Sequence, residues 1–146
     1  MIINETQYRS TLGHLRQFET ALANLEARHP TGQRTKLEQL EIGAVASQAE
    51  DLRTEIAEYE HLRSGDVSTL EVSGLDQLAS LLVQARIARG WTQHQLAETL
   101  GVAEQQVQRY EATAYRSASL ARLNDVATAL GLDTHLVGRL REASAA

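Results

Sequence analysis

Apolar residues recur at steps of three and four from the start of the chain. Tyr8, Leu12, Leu15, Phe18, Leu22 and Leu25 fall on one face of a helix. Asn4 with Gln7 reads as a capping box ahead of it, and Ile3 is placed to staple onto Tyr8. The pattern predicts a helix of about 24 residues, roughly 36 Å long at 1.5 Å per residue. The run His29 to Gly32 ends it, because Pro30 disfavours helix at His29 and Gly32 frees the turn. A second helix is predicted from Thr35, with Glu38 completing its capping box. Its stripe is Leu37, Leu40, Ala44, Leu52, Ile56, Tyr59 and Leu62, and Ser64-Gly65 ends it. The middle of this helix, with Gly43, Ala44, Ala46, Ser47 and Ala49, has little side-chain volume. Either a neighbour approaches closely there or the helix bends.

Two long helices joined by a short turn predict an antiparallel hairpin over residues 1–63. A lone pair leaves much of each stripe wet, so the hairpin is expected to dimerise, to dock another protein, or to cap the rest of the chain. Glu50, Asp51, Glu55, Glu58 and Glu60 interleave with the stripe, and Arg53 and Arg63 each follow a glutamate by three positions. That is a solvated face rather than a metal or acid–base cluster. Residues 64–74 are small and polar with Val67, Leu70 and Val72 among them, and they read as a linker.

From residue 75 to the end the pattern changes to short helices. Ser73 and Asp76 predict a further capping box, followed by Leu75, Leu78, Leu82 and Ala85 on a helix ending near Arg89, with Gly90 as its stop. Trp91 is expected to pack between elements. Thr92 caps the next helix with Gln95 as partner, Leu96 and Leu100 face inward, and Gly101 sits where a left-handed residue is needed. Val102 plugs the turn, and a third helix runs from about Ala103 to Ala112. Asp133 is placed to start a last helix carrying Leu136, Val137 and Leu140.

Composition narrows the chemistry. The chain has 146 residues, 42% of them hydrophobic, with one proline and no cysteine, and its Leu/Ala/Glu/Arg/Gln richness predicts an all-α protein. No apolar run reaches the ~20 residues of a membrane span and the first residues lack a signal-peptide pattern, so a soluble cytoplasmic protein is expected. The net charge of −5 is unevenly held: residues 1–72 carry 12 acids against 7 bases, whereas residues 73–146 carry 7 of each. A neutral half can still bind nucleic acid if its seven arginines cluster on one side, because phosphate contacts are local, so composition permits such a partner without arguing for it. The five histidines (14, 29, 61, 94, 135) form no ligand pair, and no phosphate-binding glycine loop or nucleophile elbow is present. No cofactor, metal or catalytic residue is expected, and the protein reads as a non-enzyme.

The third of the short helices carries the candidate chemistry. At 100° per residue, burying Val107 and Tyr110 turns Gln105, Arg109 and Ala112 outward, with Gln108 beside them and Glu104 and Gln106 on the flanks. Glutamine and arginine make paired hydrogen bonds to adenine and guanine edges in the major groove. An ordinary solvated helix would carry a mixture of Glu and Lys instead.

The surrounding pattern T-Q-x-x-L-A-x-x-L-G-V-x-x-x-x-V-x-R-Y-E, from Thr92 to Glu111, resembles the phage-repressor (lambda cI and Cro, or XRE) family of helix-turn-helix proteins. The similarity continues through Ser119, Leu120, Leu123, Val126, Ala127, Leu130, Gly131 and Leu132, and covers about residues 75–142. It implies a five-helix domain over 75–146 whose third helix enters the major groove of double-stranded operator DNA. Carried over position by position, Gln93 matches a phosphate contact. Glu104, Gln105 and Arg109 match base-contacting positions, with Gln106 and Gln108 close by. Tyr115 and Arg116 lie in the following loop, in reach of phosphates, and Arg86 and Glu111 match a buried ion pair. Ala103 departs from the Ser or Thr the family often has, and the loop after Glu111 lacks its usual glycine and proline. The implied function is a sequence-specific transcriptional regulator, a dimeric repressor. The alternative is an antitoxin whose N-terminal helices bind a toxin while the other half represses the operon.

Overall fold

The computed structural model describes residues 1–140. It has six α-helices, and no strand occurs among the described residues. Helix α1 spans Glu5–Arg28 and α2 spans Lys36–Arg63. Asn4 caps α1 by accepting from the backbone N–H of Gln7 (2.9 Å), and the Gln7 side chain answers by accepting from Ile3 N–H (3.0 Å). The α2 capping box is complete between Thr35 and Glu38.

The two helices run antiparallel. Cross-pairs climb one helix as they descend the other: Glu5 with Arg63 (2.6 Å), Tyr8 with Glu60 (2.5 Å), Glu19 with Arg53 (2.8 Å) and His29 with Glu38 (2.9 Å). Near the base, the Tyr8 and Tyr59 rings lie 5.1 Å apart. The thin middle of α2 is unbroken helix; Ala49 is fully buried, whereas Gly43, Ala44 and Ser47 face solvent, so close packing accounts for Ala49 and not for the other small residues. The stripe itself is corrected. Ile42, Ala49, Ile56, Tyr59 and Leu62 face inward, while Leu37 and Leu40 are 75% and 63% exposed. Apolar residues occupy two faces of the first turns of α2, and α1 covers only one.

Beyond residues 64–74, which have no helix and lay Val67 and Leu70 against the core, one 3-10 turn at Leu75–Gln77 leads into α3, Leu78–Ala88. The expected Ser73–Asp76 capping box does not form: Gly74 precedes the turn, and Ser73 N–H instead donates to the Gln77 side chain. Leu75 consequently stays outside, 73% exposed. Helices α4 (Gln93–Leu100), α5 (Glu104–Ala112) and α6 (Leu120–Ala129) complete the all-α architecture. The expected last helix from Asp133 has no counterpart up to residue 140, where Leu136, Val137 and Leu140 are exposed. The end of the chain beyond residue 140 lies outside the described residues.

A single cluster of buried side chains runs through the molecule. Ile2, Ile56, Tyr59 and Leu62 at the hairpin base join Leu82, Val83, Leu96, Val107 and Val126 of the short helices. The far end of the hairpin lies outside it. The base of the arm therefore packs directly against α3, and Asn4 at its start reaches Gln93 of α4.

Candidate nucleic-acid interface

The turn between α4 and α5 is built as the residues dictate. Thr92 and Gln95 form a reciprocal capping box, and Gly101 closes α4 at φ +67°, a conformation that costs glycine nothing. Leu96 and Ala97 are buried beneath it. Helix α5 begins at Ala103 with no side-chain cap, as its alanine requires.

On α5, Val107 is fully buried and Glu111 is 6% exposed, which fixes the helix's rotation. Glu104, Gln105, Gln108, Arg109 and Ala112 consequently face solvent and Gln106 is half-buried. Among the described residues, the side chains of Gln105 and Arg109 have no hydrogen-bonding partner, so their paired donors and acceptors are available to an incoming ligand. The front of the helix is different. Glu104 accepts from Gln108 (3.1 Å) and faces His94 Nδ1 (3.3 Å), and His94 Nε2 also meets Glu98 (3.3 Å). This acidic end is tied to α4, whereas the cationic end lies toward Arg109 and Arg116.

Behind the face lies a buried polar node. Arg86 of α3 donates from Nε and Nη2 to the two carboxylate oxygens of Glu111 (2.6 and 2.8 Å). Its Nη1 donates to the Trp91 carbonyl (2.7 Å) and Nη2 also to the Ile3 carbonyl (2.6 Å). Gln93 adds a third bond to Glu111, from Nε2 to Oε2 (2.7 Å). One node thus holds α3, the start of α4, the end of α5 and the beginning of the chain. Bidentate geometry with every charge hydrogen-bonded is what allows such a pair to be buried.

Two expected phosphate contacts are placed differently. The Gln93 side chain is 7% exposed and spent on Glu111 and on Asn4, whose Nδ2 donates to Gln93 Oε1 (3.4 Å). Tyr115 is 4% exposed rather than on the surface. Ala114 and Tyr115 take φ of +49° and +54°, and this left-handed pair swings the ring inward to stack on Tyr110 at 5.6 Å. Burial, with Glu111 nearby, pushes the Tyr115 hydroxyl well above the ordinary phenol range, and the hydroxyl has no partner among the described residues. Burial of the ring offsets the strain of the two residues. The same turn leaves Arg116 exposed. Sequence reasoning missed the contribution of Ile3 and Asn4 to the node, because contacts across 83 and 89 positions leave no local pattern.

Residues 82–137 match the family model described as Helix-turn-helix. This stretch of the C-terminal half is similar to helix-turn-helix domains of the XRE type, a family of DNA-binding transcription regulators. Neither a curated protein nor a solved structure is significantly similar to the chain. No helix among the described residues is long and apolar enough to cross a membrane.

Proposed function

We propose that this protein is a sequence-specific repressor that binds a two-fold operator as a dimer, with α5 lying in the major groove. The observation that carries the reading is the outward face of α5, where Gln105 and Arg109 stand unpaired while Val107 and Glu111 lock the helix behind them. Gln105 and Arg109 read base edges, Gln106 and Gln108 lie beside them, and Arg116 meets the phosphate backbone. Glu104, held by His94 and Gln108, serves at most one base contact at the front. Residues 1–63 act as the association arm, residues 64–74 as the connection, and residues 75–146 as the reading unit. A single recognition helix reads few base pairs, so dimerisation supplies affinity and sets half-sites about 34–36 Å apart.

The test is selection of duplexes from a random-sequence library by the purified protein, with sedimentation to give the stoichiometry. Enrichment of an inverted repeat bound by two chains is the expected result. Enrichment of a single unrepeated site by one chain would sink the dimer, and no enrichment would sink DNA reading.

A second reading, an antitoxin that binds a toxin through the N-terminal helices and autorepresses its operon, is favoured by one observation. Leu37 and Leu40 are exposed on the outer face of α2, far from the shared core. If Leu37→Glu with Leu40→Glu dissociates a dimer, that face serves self-association. If the wild type is monomeric and a small neighbouring gene product binds that face, the antitoxin reading replaces the dimer.

A further inference from the structure

We infer that Ile2, Ile3 and Asn4 are positioning residues for DNA reading, forming a strap from the hairpin base that holds the node behind α5. The inference rests on the DNA-binding reading above. Each of the three residues grips a different part of the molecule. Ile2 is 2% exposed, inside the core cluster that contains Tyr59, Leu62, Leu82 and Val83. The Ile3 carbonyl accepts from Arg86 Nη2 at 2.6 Å. Asn4 divides its amide: Oδ1 caps α1 through Gln7 N–H, and Nδ2 reaches Gln93 Oε1.

The chemistry makes the strap more than an anchor. Arg86 holds Glu111 with two of its donors, and Glu111 sets the rotation of α5. A guanidinium buried to 2% exposure needs carbonyl partners for its remaining N–H groups, and Ile3 supplies one of only two. Without it, Arg86 must tilt toward water or toward another acceptor, and Glu111 and Gln93 move with it. Paired base contacts tolerate displacements of only about 0.5 Å. Asn4 of the strap lines the same cleft of about 290 Å³ as Glu104 and Gln108, so it comes near the start of the reading helix without joining its outward face.

The test uses a duplex selected from a random-sequence library by the wild-type protein. Asn4→Ser keeps a good helix cap but removes the donor to Gln93, so its thermal midpoint should stay near the wild type. It should bind the duplex about threefold more weakly, and Ile2→Ala about tenfold, which is the range one hydrogen bond represents. Val72→Ala, an apolar truncation in residues 64–74 outside both the shared core and the association arm, should bind like the wild type. The Arg86 Nε–H proton resonance gives a second readout: protected from solvent exchange in the wild type and in Val72→Ala, broadened in Ile2→Ala. Should Ile2→Ala fail to fold, Asn4→Ser alone decides. Wild-type affinity in the strap variants, or an equal loss in Val72→Ala, overturns the inference and leaves DNA reading standing. A wild-type protein that enriches no duplex overturns DNA reading and the strap's role together.

Discussion

Consider Glu111→Ala. The Glu111 carboxylate accepts three hydrogen bonds, two from Arg86 and one from Gln93, and its side chain is wholly buried. Removing it leaves the Arg86 guanidinium buried with only the Trp91 and Ile3 carbonyls as partners. Breaking one side of a buried pair costs roughly 3–5 kcal/mol, because the remaining charge has lost its compensation. Against a total stability of about 5–15 kcal/mol this is a large fraction. At about 2–4 °C per kcal/mol for a chain of this size, the melting midpoint should fall by some 6–20 °C. Urea unfolding followed by circular dichroism measures the free-energy loss itself, as a lower denaturant midpoint at unchanged slope. The paired replacement Arg86→Met with Glu111→Leu removes both charges and should recover most of the loss, since apolar substitutes of similar volume often match a buried ion pair. A Glu111→Ala cost below about 1 kcal/mol, the worth of an ordinary hydrogen bond, would refute the node as described. So would a double variant that is less stable than the single one.

Two further outcomes test other parts of the structure. Gly101→Ala should destabilise by about 1–2 kcal/mol through its left-handed backbone alone, since a Cβ there would meet nothing within 4 Å. Gly43→Ala, in open space on helix α2, should instead stabilise by about 0.5–1 kcal/mol, and thermal melts that fail to show opposite signs would contradict both assignments. At the hairpin turn, bonds from the Thr35 backbone and side chain, with His29 beside them, hold the Glu38 carboxyl below its ordinary value of 4.5. A depressed carboxyl stabilises the folded state above its unfolded value and loses that contribution as pH falls through the folded value. Stability of the α1–α2 turn should therefore drop below about pH 4.5, and Glu38→Gln should flatten that dependence in hydrogen exchange at α2's first turn.

Where the chain's signals are local, the fold was legible. Asn4, Thr35 and Thr92 begin helices as their side chains dictate, Gly101 closes α4 in the left-handed region, and Val107 with Glu111 orients α5. The outward positions of Gln105 and Arg109 followed from that rotation alone. What was not legible depends on competition between surfaces or on distant contacts. Leu37 and Leu40 carry helical spacing, but α1 covers the face with Ile42 and Ala49. Leu136, Val137 and Leu140 have the spacing of an amphipathic helix, yet that stretch is not helical up to residue 140 and all three stay exposed. Tyr115 turns inward because two non-glycine residues adopt positive φ, which no residue type announces. The change of texture at residues 64–74 is visible in composition, yet Ile2, Tyr59 and Leu62 of the hairpin base share one core with the short helices beyond it.

The central claim is that α5 reads bases through Gln105 and Arg109, and a base-substitution profile tests it most directly. A selected duplex, mutated one base pair at a time, is titrated with the wild type and with Arg109→Ala at fixed salt. The variant should lose about 1–3 kcal/mol of discrimination at one base pair, or at its two-fold mate as well, and keep the profile elsewhere. A uniform weakening at every position would reduce Arg109 to a phosphate contact, and an unchanged profile would contradict the account.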